Sequence, residues 1–484
     1  MIHETKADLV TDKELKMLVI GNPFYFIGGA PRRTYEVVKA YSELGIEVKI
    51  YIPYGQLFLT KLLQTIHNIK NQEVYSTLRD LEKSGIEISS EVYTQLEAME
   101  EEIWEHYIIM KKGGVRWILE NLKKLLFLIN KRTVEDVHAF IKENFAKRKG
   151  SDVNLIYVTD ATFLDMIYTG YFISEALRRK FFVLFQSIPL TSIKELIAEE
   201  FWHAKHFFEK NIFRNIIRTF IITIEKAFFK HETFRIFNHC AKNLAGLLSV
   251  SDAPIKIAKL DEWAYRRGIP IRVLRPGNAV NVELQKYFKE REKFLNSKED
   301  YAIFYARLDV VKGILEIPFI AKHLQQNGYT MLLAGRFDNP NVREKFETLC
   351  RVLNVKNIRY LGYLPDKRLW QVVAKGKVLI YPSHCDVFPL VTLESLFLGN
   401  SVVAYNIPAV SSIYRDLQVV KIVEKYSWRK MAEEAVKILK TNLEKFVEEH
   451  KNENLIKFLE LHSSWKNVAK AEICSMCEIM RDKA

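Results

Sequence analysis

The sequence predicts an α/β protein of two doubly wound parallel sheets, with helical insertions in the first half. Short apolar runs alternate with stretches of helical period in both halves of the chain. In the second half this alternation repeats about every thirty residues, which is typical of a Rossmann-like domain. At 484 residues the chain is also too long for one hydrophobic core. Two Rossmann-like domains satisfy all three observations.

The chain opens with a βαβ unit. Lys16–Ile20 and residues 46–52 are apolar enough for strands, and residues 35–44 between them have helical period. Two strands joined through a helix pair in parallel, with a right-handed crossover. A parallel sheet is therefore expected from the start of the chain.

We predict a first domain over residues 1–280 and a second over residues 281–459, with a helix at 460–484 returning to complete the first. Two long segments of helical period, about 55–150 and 195–240, interrupt the strand pattern of the first domain. We interpret them as helical insertions rather than as a continuation of the sheet.

The composition indicates a globular protein with a basic surface. The net charge of +13 and the pI near 9.2 call for an anionic partner: a nucleotide diphosphate, an acidic lipid headgroup or nucleic acid. No apolar run approaches the roughly eighteen residues that span a bilayer, and no secretory leader is visible. Five scattered cysteines indicate a reducing compartment, so we expect a cytoplasmic protein. Cys474 and Cys477 lack a second pair, which predicts a helical pair rather than a zinc site.

The segment Tyr381–Tyr405 is the strongest candidate for a functional site. It predicts a buried strand, a loop containing Asp386, and an apolar helix that begins near Pro389 and contains Glu394. A carboxylate inside an apolar helix needs charged or hydrogen-bonding partners, because burial alone is costly. A ribose diol would supply two hydroxyl donors. The alternative is a glutamate held by neighbouring backbone or by a basic side chain.

A second segment, Tyr305–Gly313, suggests phosphate binding. Arg307 follows the first strand of the second half, at the strand end where open α/β sheets bind ligands. Lys312 opens the next helix, where unpaired N–H groups already favour an anion. Two cations there could neutralise a diphosphate in place of a metal ion. The alternative is that Arg307 pairs with a neighbouring acid and that Lys312 is solvated.

Gly28 and Gly29, at the mouth of the first helix, form a weaker candidate. Glycine lets the backbone approach a phosphate or a sugar, but it also makes ordinary tight turns. The pattern is neither G-x-G-x-x-G nor a Walker A loop, which disfavours nicotinamide and ATP. His384 and Cys385 are adjacent and point to opposite faces of a strand, which disfavours a catalytic Cys–His pair.

Taken in order, these residues resemble the GT4 family of retaining glycosyltransferases, which have the GT-B fold. The second-half motifs are Arg307, Lys312-Gly313, Ala334-Gly335, Leu361–Pro365, Pro382-Ser383, Asp386 with Glu394 eight positions later, and Gly399–Ala404. The first-half motifs are Gly28-Gly29 with Arg32, Ser249–Ser251 and Leu274–Gly277. The helical insertions lie outside the resemblance.

The resemblance implies a nucleotide-sugar donor site in the second domain and an acceptor side in the first. Arg307 and Lys312 would clamp the donor diphosphate. Glu394 would bind the ribose, and Asp386 would contact the transferred sugar. These four are the catalytic candidates. The remaining donor-binding candidates, largely backbone groups and residues that flank the base, are Gly28, Gly29, Gly335, Tyr363, Leu364, Phe388, Pro389, Leu390 and Val391.

Three positions depart from the family pattern. Asp386 stands where glutamate is usual, and Val387 replaces a common glycine, which narrows the space beside the sugar. Gln186 stands about where many relatives have a histidine, and an amide forms hydrogen bonds without titrating.

Two basic segments interleave aromatic residues with lysine and arginine: Arg116–Arg132 and Phe201–Lys242. Such a face suits an anionic membrane surface, which would place the protein peripherally at the inner membrane face. The alternative is an apolar stripe packed on the core with a solvated basic back. Under the first interpretation, the acceptor would be a lipid-linked sugar or a glycolipid.

The predicted reaction is transfer of a sugar, with retention, from a UDP-, GDP- or ADP-sugar to a hydroxyl acceptor such as a lipid-linked sugar, a glycolipid or a polysaccharide. The resemblance implies neither a metal ion nor another cofactor. Four alternatives stay open at this point: a sugar phosphorylase, a nucleotide-sugar epimerase, a non-catalytic relative and a basic nucleic-acid-binding protein. The last is disfavoured because the basic residues are spread through the chain and no compact nucleic-acid module is visible.

Overall fold

The architecture is taken from a computed structural model of the chain. It describes residues 15–24, 28–67, 69–89, 91–99, 153–161, 164–187, 231, 233–337 and 339–482. The predicted insertion at 55–150 is thus described only as far as residue 99, and the one at 195–240 only in its last residues. Arg116–Arg132 and most of Phe201–Lys242 lie outside the described residues. Among the helices that are described, none is long and apolar enough to cross a membrane.

Within these ranges, the first half of the chain forms a seven-stranded sheet in which every neighbouring pair is parallel. The strands are β1 Lys16–Ile20, β2 Glu47–Tyr51, β3 Glu87–Ile88, β4 Leu155–Val158, β5 Phe181–Phe185, β6 Leu244–Ser249 and β7 Ile271–Val273. Their spatial order is β3-β2-β1-β4-β5-β6-β7. The central strands are buried on both faces, as a parallel sheet covered by helices requires.

Helices connect these strands. They are α1 Gly29–Glu43, α2 Tyr54–His67, α3 Asn71–Lys83, α4 Glu91–Ala98, α5 Leu164–Leu177, α6 Asp252–Ala258 and α7 Leu260–Tyr265. In α1, Val37, Val38 and Tyr41 recur at helical spacing and are buried, so one face of this helix packs on the sheet.

The edge strand β3 departs from the sequence prediction. It pairs with β2 through Lys49 opposite Glu87 and Ile50 opposite Ile88. The interpretation of the segment from residue 55 as helical, without continuing the sheet, is therefore wrong at this point. Two residues are too few to show an alternating pattern, and pairing with a strand distant in sequence makes them β-structure.

The second half forms, in its described part, a six-stranded parallel sheet. Its strands are β8 Glu299–Tyr305, β9 Thr330–Ala334, β10 Ile358–Gly362, β11 Gly376–Tyr381, β12 Ser401–Tyr405 and β13 Val420–Val423. The order is β10-β9-β8-β11-β12-β13, so β8 and β11 lie side by side at its centre. The prediction of two doubly wound parallel sheets is confirmed.

The helices of the second half surround this sheet and continue past it. They are α8 Leu284–Lys289, α9 Arg291–Leu295, α10 Ile317–Gln326, α11 Pro340–Val352, α12 Asp366–Lys375, α13 Leu390–Phe397, α14 Pro408–Tyr414, α15 Trp428–Lys440, α16 Leu443–His450, α17 Glu453–Leu461 and α18 Trp465–Arg481. Cys474 and Cys477 both lie in α18, the first exposed and the second half-buried.

The last helix, α18, returns to the first sheet and packs against α1. A buried ion pair joins them: the Arg33 guanidinium contacts the Glu472 carboxylate, and both side chains are almost wholly inaccessible to solvent. The Tyr41 hydroxyl donates a hydrogen bond to the same carboxylate. The Arg33 guanidinium also donates a hydrogen bond to the carbonyl oxygen of Gly277 at 2.9 Å. Gly277 belongs to the segment of chain that connects the two sheets. One arginine thus links α1, the chain end and the interdomain connection.

Candidate active site

The loops that follow β8 and β11 bring a lysine and a carboxylate together. The Nζ atom of Lys312 lies 2.6 Å from an Oδ atom of Asp386. The Tyr381 hydroxyl donates to the same carboxylate, and the backbone N–H of Val387 donates to its other oxygen at 2.8 Å. Burial by itself raises the pKa of Asp386, but the Lys312 charge and these hydrogen bonds outweigh burial and hold the pKa below its usual value. Asp386 is thus ionised at neutral pH.

Close backbone packing holds the two loops in this register. Gly313 has φ of +78°, and a Cβ atom there would lie 2.2 Å from the carbonyl oxygen of Pro382. Only glycine permits that conformation and approach. The His384 backbone N–H also donates to the carbonyl oxygen of Val311, 2.8 Å away. The family-like Lys312-Gly313 pair is therefore required for the geometry of the loop as well as for its charge.

Arg307 lies directly after β8 and contacts the carboxylate of Asp309. The alternative that Arg307 pairs with a neighbouring acid is therefore what the structure shows, although 62% of the arginine side chain remains exposed. Asp309 also accepts a hydrogen bond from the Lys312 backbone N–H at 2.9 Å. The alternative for Lys312, a solvated ammonium, is wrong, since this side chain pairs with Asp386 and is only 22% exposed.

Glu394 lies in α13, one turn from its amino end. Its side chain is half-buried and forms no hydrogen bond with any described residue. Burial raises the pKa of the Glu394 carboxyl to about 7. The positive charge of Arg32 lowers this pKa, and the negative charge of Asp366 raises it. The alternative of a glutamate held by neighbouring backbone or by a basic side chain is not seen, since no hydrogen bond or ion pair from a described residue reaches the Glu394 carboxyl. A ribose diol would supply the missing hydrogen-bond donors.

Two helix amino ends face each other across the domain interface. α1 begins at Gly29 and α13 at Leu390; neither has a side-chain cap or an acidic residue in its first turn. A Cβ atom placed on Gly29 would lie 3.8 Å from a methyl of Leu390, and one placed on Gly28 would meet no described atom within 4 Å. The first N–H groups of a helix and its dipole favour an anion. This end of the interface is therefore suited to a phosphate.

A cavity of about 570 Å³ opens beside these groups, between the two domains. Most of its lining comes from the second domain and includes Arg307, Gly335, Tyr363 and Leu364, and α2 and α3 close the other side. The volume is in the range of pockets that hold small ligands. Lys312, Asp386 and Glu394 are not part of this lining. They lie next to it, and Tyr305 connects the two regions, since it lines the cavity and its hydroxyl donates to the Val391 carbonyl at 2.9 Å.

Two of the predicted donor-binding residues, Tyr363 and Gly335, line this cavity. Tyr363 is 67% exposed, and the Arg336 guanidinium lies 5.7 Å from the centre of its ring. Gly335 has φ of +139°, and a Cβ atom there would lie 2.0 Å from the carbonyl oxygen of Ala306. Glycine thus lets the end of β9 approach β8, which leaves space in the cavity.

Phe388 and Pro389 form the start of α13 and lie near the domain junction. Phe388 is buried against the Tyr414 and His462 rings, and the Pro389 carbonyl accepts a hydrogen bond from the Tyr414 hydroxyl at 3.0 Å. Immediately before them, the Val387 carbonyl accepts a hydrogen bond from the Ser251 hydroxyl at 2.5 Å. The loop that holds Asp386 is therefore attached to both domains.

Sequence reasoning missed several residues that support this site. His384 is buried and bonds to the Glu316 carboxylate, which also accepts a hydrogen bond from the Tyr405 hydroxyl. Glu316, in the loop before α10, is thus a partner of His384. No local pattern links such residues, because each partner comes from a different strand or helix.

Gln186, the residue in the place of a family histidine, lies after β5 at the carboxyl edge of the first sheet. Its amide nitrogen is 3.4 Å from the Thr34 hydroxyl, and its amide oxygen is enclosed without a partner among the described residues. Nearby, the Asp160 carboxylate accepts a hydrogen bond from the Ser187 hydroxyl at 3.1 Å. These polar groups follow β4 and β5 at the carboxyl edge of the first sheet.

Comparison with known proteins gives a family match over part of the chain. Residues 286–457 match the family model described as glycosyl transferases group 1. The chain is 23% identical over 217 residues to O-antigen chain mannosyltransferase B of Escherichia coli, which covers 44% of this chain and 50% of that protein. It spans half or less of the length of the curated relatives that it matches.

Solved structures extend the similarity over nearly the whole chain. Sucrose-phosphate synthase from Thermosynechococcus elongatus superposes with a TM-score of 0.59 at 14% identity, covering 97% of this chain and 100% of that one. Anabaena Alr3699/HepE, solved in complex with UDP and glucose, has a TM-score of 0.55 at 13% identity, covering 96% and 99%. At these identities the likeness shows the fold, which is GT-B. Over residues 286–457 the chain is similar to glycosyl transferases group 1, in agreement with the resemblance to the GT4 family.

Proposed function

We propose that this protein is a retaining, metal-independent glycosyltransferase that moves a sugar from a nucleotide diphosphate to a hydroxyl acceptor. The single observation that supports this most is the contact between Lys312 and Asp386 beside the facing amino ends of α1 and α13. A cation and two helix ends suit the diphosphate, and the adjacent carboxylate suits a sugar hydroxyl.

The donor phosphates would lie between Lys312, Arg307 and the first N–H groups of α13. Arg307 is exposed at the cavity wall, where its guanidinium also contacts Asp309. As the sugar leaves, negative charge grows on the diphosphate, and fixed positive groups stabilise that charge more than they stabilise the ground state. These cations supply the stabilisation that a divalent metal ion supplies in other transferases, which supports a metal-independent reaction.

The nucleoside would occupy the cavity between the domains. Its ribose would donate two hydrogen bonds to Glu394, which has no partner among the described residues, and its base would lie near Tyr363 and Leu364. The exposed Tyr363 ring offers a stacking surface. Because Alr3699/HepE was solved with UDP, uridine is the first base to test.

Retention is proposed on the basis of the family resemblance and of the charges in the site. The bond between the anomeric carbon and the donor phosphate oxygen breaks while the acceptor oxygen bonds to the same face of that carbon. The acceptor proton passes to the departing diphosphate. No protein nucleophile is needed, and Asp386, already engaged by Lys312 and Tyr381, orients the sugar.

The acceptor would enter from the first domain, past Gln186 and Asp160. We propose a glycan or a lipid-linked sugar, supported by the similarity to a protein named as an O-antigen chain mannosyltransferase. A cytoplasmic location with peripheral membrane contact is proposed on the basic segments Arg116–Arg132 and Phe201–Lys242. In a flotation assay, binding to anionic but not to neutral vesicles supports this contact, and equal partitioning removes its support.

A thermal-shift panel tests the donor site. UDP, GDP and ADP, and their common sugar conjugates, are added one at a time with EDTA present. We expect one base to raise the melting temperature without metal, and Arg307→Ala to abolish that shift. No shift with any nucleotide, or a shift that requires a divalent ion, contradicts the proposal.

Product analysis tests the reaction itself. Incubation of the selected nucleotide sugar with glycan and lipid-linked acceptors should release the nucleoside diphosphate, and NMR of the product should show the anomeric configuration of the donor. Release of a sugar phosphate that depends on added inorganic phosphate would instead indicate a phosphorylase.

A further inference from the structure

We propose that Ser251, a residue of the first domain, is a positioning residue of the donor site: its hydroxyl holds the backbone of Val387, which orients the Asp386 carboxylate for the transferred sugar. This rests on the proposed function, and in particular on Asp386 as the contact to that sugar. The sugar contact in the second domain then depends on a side chain of the first domain.

Both backbone polar groups of Val387 form hydrogen bonds. Its N–H donates to one carboxylate oxygen of Asp386 at 2.8 Å. Its carbonyl oxygen accepts from the Ser251 hydroxyl at 2.5 Å. Only two soft dihedral angles, those of Val387 itself, separate these two groups. A hydrogen bond that fixes the carbonyl therefore restricts the direction of the N–H, and with it the carboxylate that the N–H holds.

The two oxygens of the Asp386 carboxylate have different partners. Lys312 and the Tyr381 hydroxyl contact the Oδ2 atom, and the Val387 N–H contacts the Oδ1 atom. Side chains of the second domain thus hold one oxygen, and the Val387 backbone holds the other. When the Val387 end is released, the carboxylate can turn about the bond that joins it to the side chain.

Ser251 is itself held in place. Its hydroxyl accepts a hydrogen bond from the Ala253 N–H at 3.2 Å and so caps α6, and its carbonyl accepts one from the Ser249 hydroxyl at 2.7 Å. A hydroxyl has one proton and two lone pairs, so the cap leaves the proton of Ser251 for Val387. Both Ser251 and Val387 are buried. Removal of the hydroxyl takes a donor from a buried carbonyl, which is unfavourable and displaces the loop.

The chain passes between the two domains beside this contact. The connection through Asn278 and the return through His462 lie side by side, since the His462 Nδ1 atom is 2.7 Å from the Asn278 carbonyl oxygen. The His462 ring packs on Phe388, the residue after Val387, with ring centres 5.7 Å apart. The domain junction therefore keeps the Val387 backbone within reach of Ser251.

Isothermal titration calorimetry without acceptor tests this, with UDP, GDP and ADP and with UDP-glucose, GDP-mannose and ADP-glucose. For Ser251→Gly we expect the affinity for the diphosphate to stay within about twofold of the wild type, and that for its sugar conjugate to be roughly threefold to tenfold weaker, as for the loss of one hydrogen bond. With acceptor present, transfer should slow by about tenfold, because the sugar is misplaced. Ser251→Thr keeps the hydroxyl and should behave as the wild type. In an Asp386→Ala background, Ser251→Gly should not weaken binding of the sugar conjugate further.

A matched control is Ser464→Gly. The Ser464 hydroxyl caps α18 by accepting from the Lys466 N–H at 3.2 Å, as the Ser251 hydroxyl caps α6. Glycine replaces serine as an N-cap at little cost, so both variants keep their helices. Ser464→Gly should bind the diphosphate and the sugar conjugate as the wild type does.

Equal weakening for the diphosphate and for the sugar conjugate would assign Ser251 to the domain junction as a whole and overturn the proposal. A loss that persists in the Asp386→Ala background overturns it too, as do unchanged affinity and unchanged transfer. If the wild type binds none of these nucleotides, the proposed function itself fails. If Asp386→Ala alone leaves the affinity for the sugar conjugate unchanged, the proposed role of Asp386 fails and this inference fails with it.

Discussion

The ammonium of Lys312 and the carboxylate of Asp386 lie 2.6 Å apart, although 74 positions separate them in the chain. One follows β8 and the other follows β11, and these strands are neighbours at the centre of the second sheet. The cation proposed for the donor phosphates thus neutralises the acid proposed for the donor sugar in this structure.

Replacement of Lys312 by alanine should weaken binding of nucleoside diphosphates. Hydrogen bonds to charged groups contribute about 1.5–3 kcal/mol, so we expect roughly a tenfold to hundredfold higher Kd. The nucleoside without phosphates should bind equally to both proteins. Calorimetry with both ligands measures this, and Lys322→Ala, in the exposed part of α10, is the control. An equal loss for nucleoside and diphosphate would show that Lys312 supports the cavity rather than the phosphates.

Asp386→Asn should separate binding from transfer. Asparagine has the shape of aspartate without its charge, so Lys312 is released for the phosphates and the affinity for nucleoside diphosphate should be kept or improved. The contact to the sugar is weakened, and we expect transfer to fall by roughly tenfold to a hundredfold. Steady-state kinetics with the selected donor measures kcat and KM. Unchanged kcat would remove Asp386 from the set of residues that contact the sugar.

The buried pair of Arg33 and Glu472 predicts a large loss of stability on truncation. Glu472→Ala leaves the Arg33 guanidinium buried without its partner, which costs about 3–5 kcal/mol of unfolding free energy. The exposed pair between Lys466 and Glu43, 3.1 Å apart, joins the same two helices. Because this pair is exposed, Lys466→Ala should lower the free energy of unfolding by less than about 1 kcal/mol. Urea unfolding followed by circular dichroism compares the two variants, and similar losses would contradict the assignment of the buried pair.

Asp165, buried in α5, predicts a specific pH dependence of stability. Burial raises the pKa of the Asp165 carboxyl to about 6. Hydrogen bonds from Gln56 and from the backbone lower this pKa, and the negative charge of Asp160 raises it. The folded state therefore keeps a proton that the unfolded state loses at lower pH. Stability contributed by this group is complete below the unfolded pKa and decreases as the pH rises towards 6.

Asp165→Asn removes that ionisation. Above about pH 7, we expect the free energy of unfolding of the variant to exceed that of the wild type by roughly 1–3 kcal/mol. At about pH 4 we expect little difference between the two proteins. Melting temperatures across this range give the comparison. Parallel pH profiles for the two proteins would show that Asp165 does not titrate in this window.

Much of the fold was predictable because its signals are local. Apolar runs such as Lys16–Ile20 and residues 378–381 alternate with helical periods, and parallel pairing follows from the helices between strands. The carboxyl ends of parallel strands meet at one edge, so Arg307 and Asp386 could be assigned to one site from their positions after strands. The edge strand β3 could not be predicted, since its two residues are ordered by pairing with β2.

The amino-acid sequence by itself determined the two parallel sheets, the strand-end positions of the site residues and the basic character of the chain, because these depend on composition and on spacing along the backbone. The tertiary structure alone decided that Lys312 pairs with Asp386 and that the start of α13 lies against the start of α1. Those relationships depend on which strands and helices become neighbours. Burial then sets the charge of each group, since the cost of an ion depends on everything packed around it.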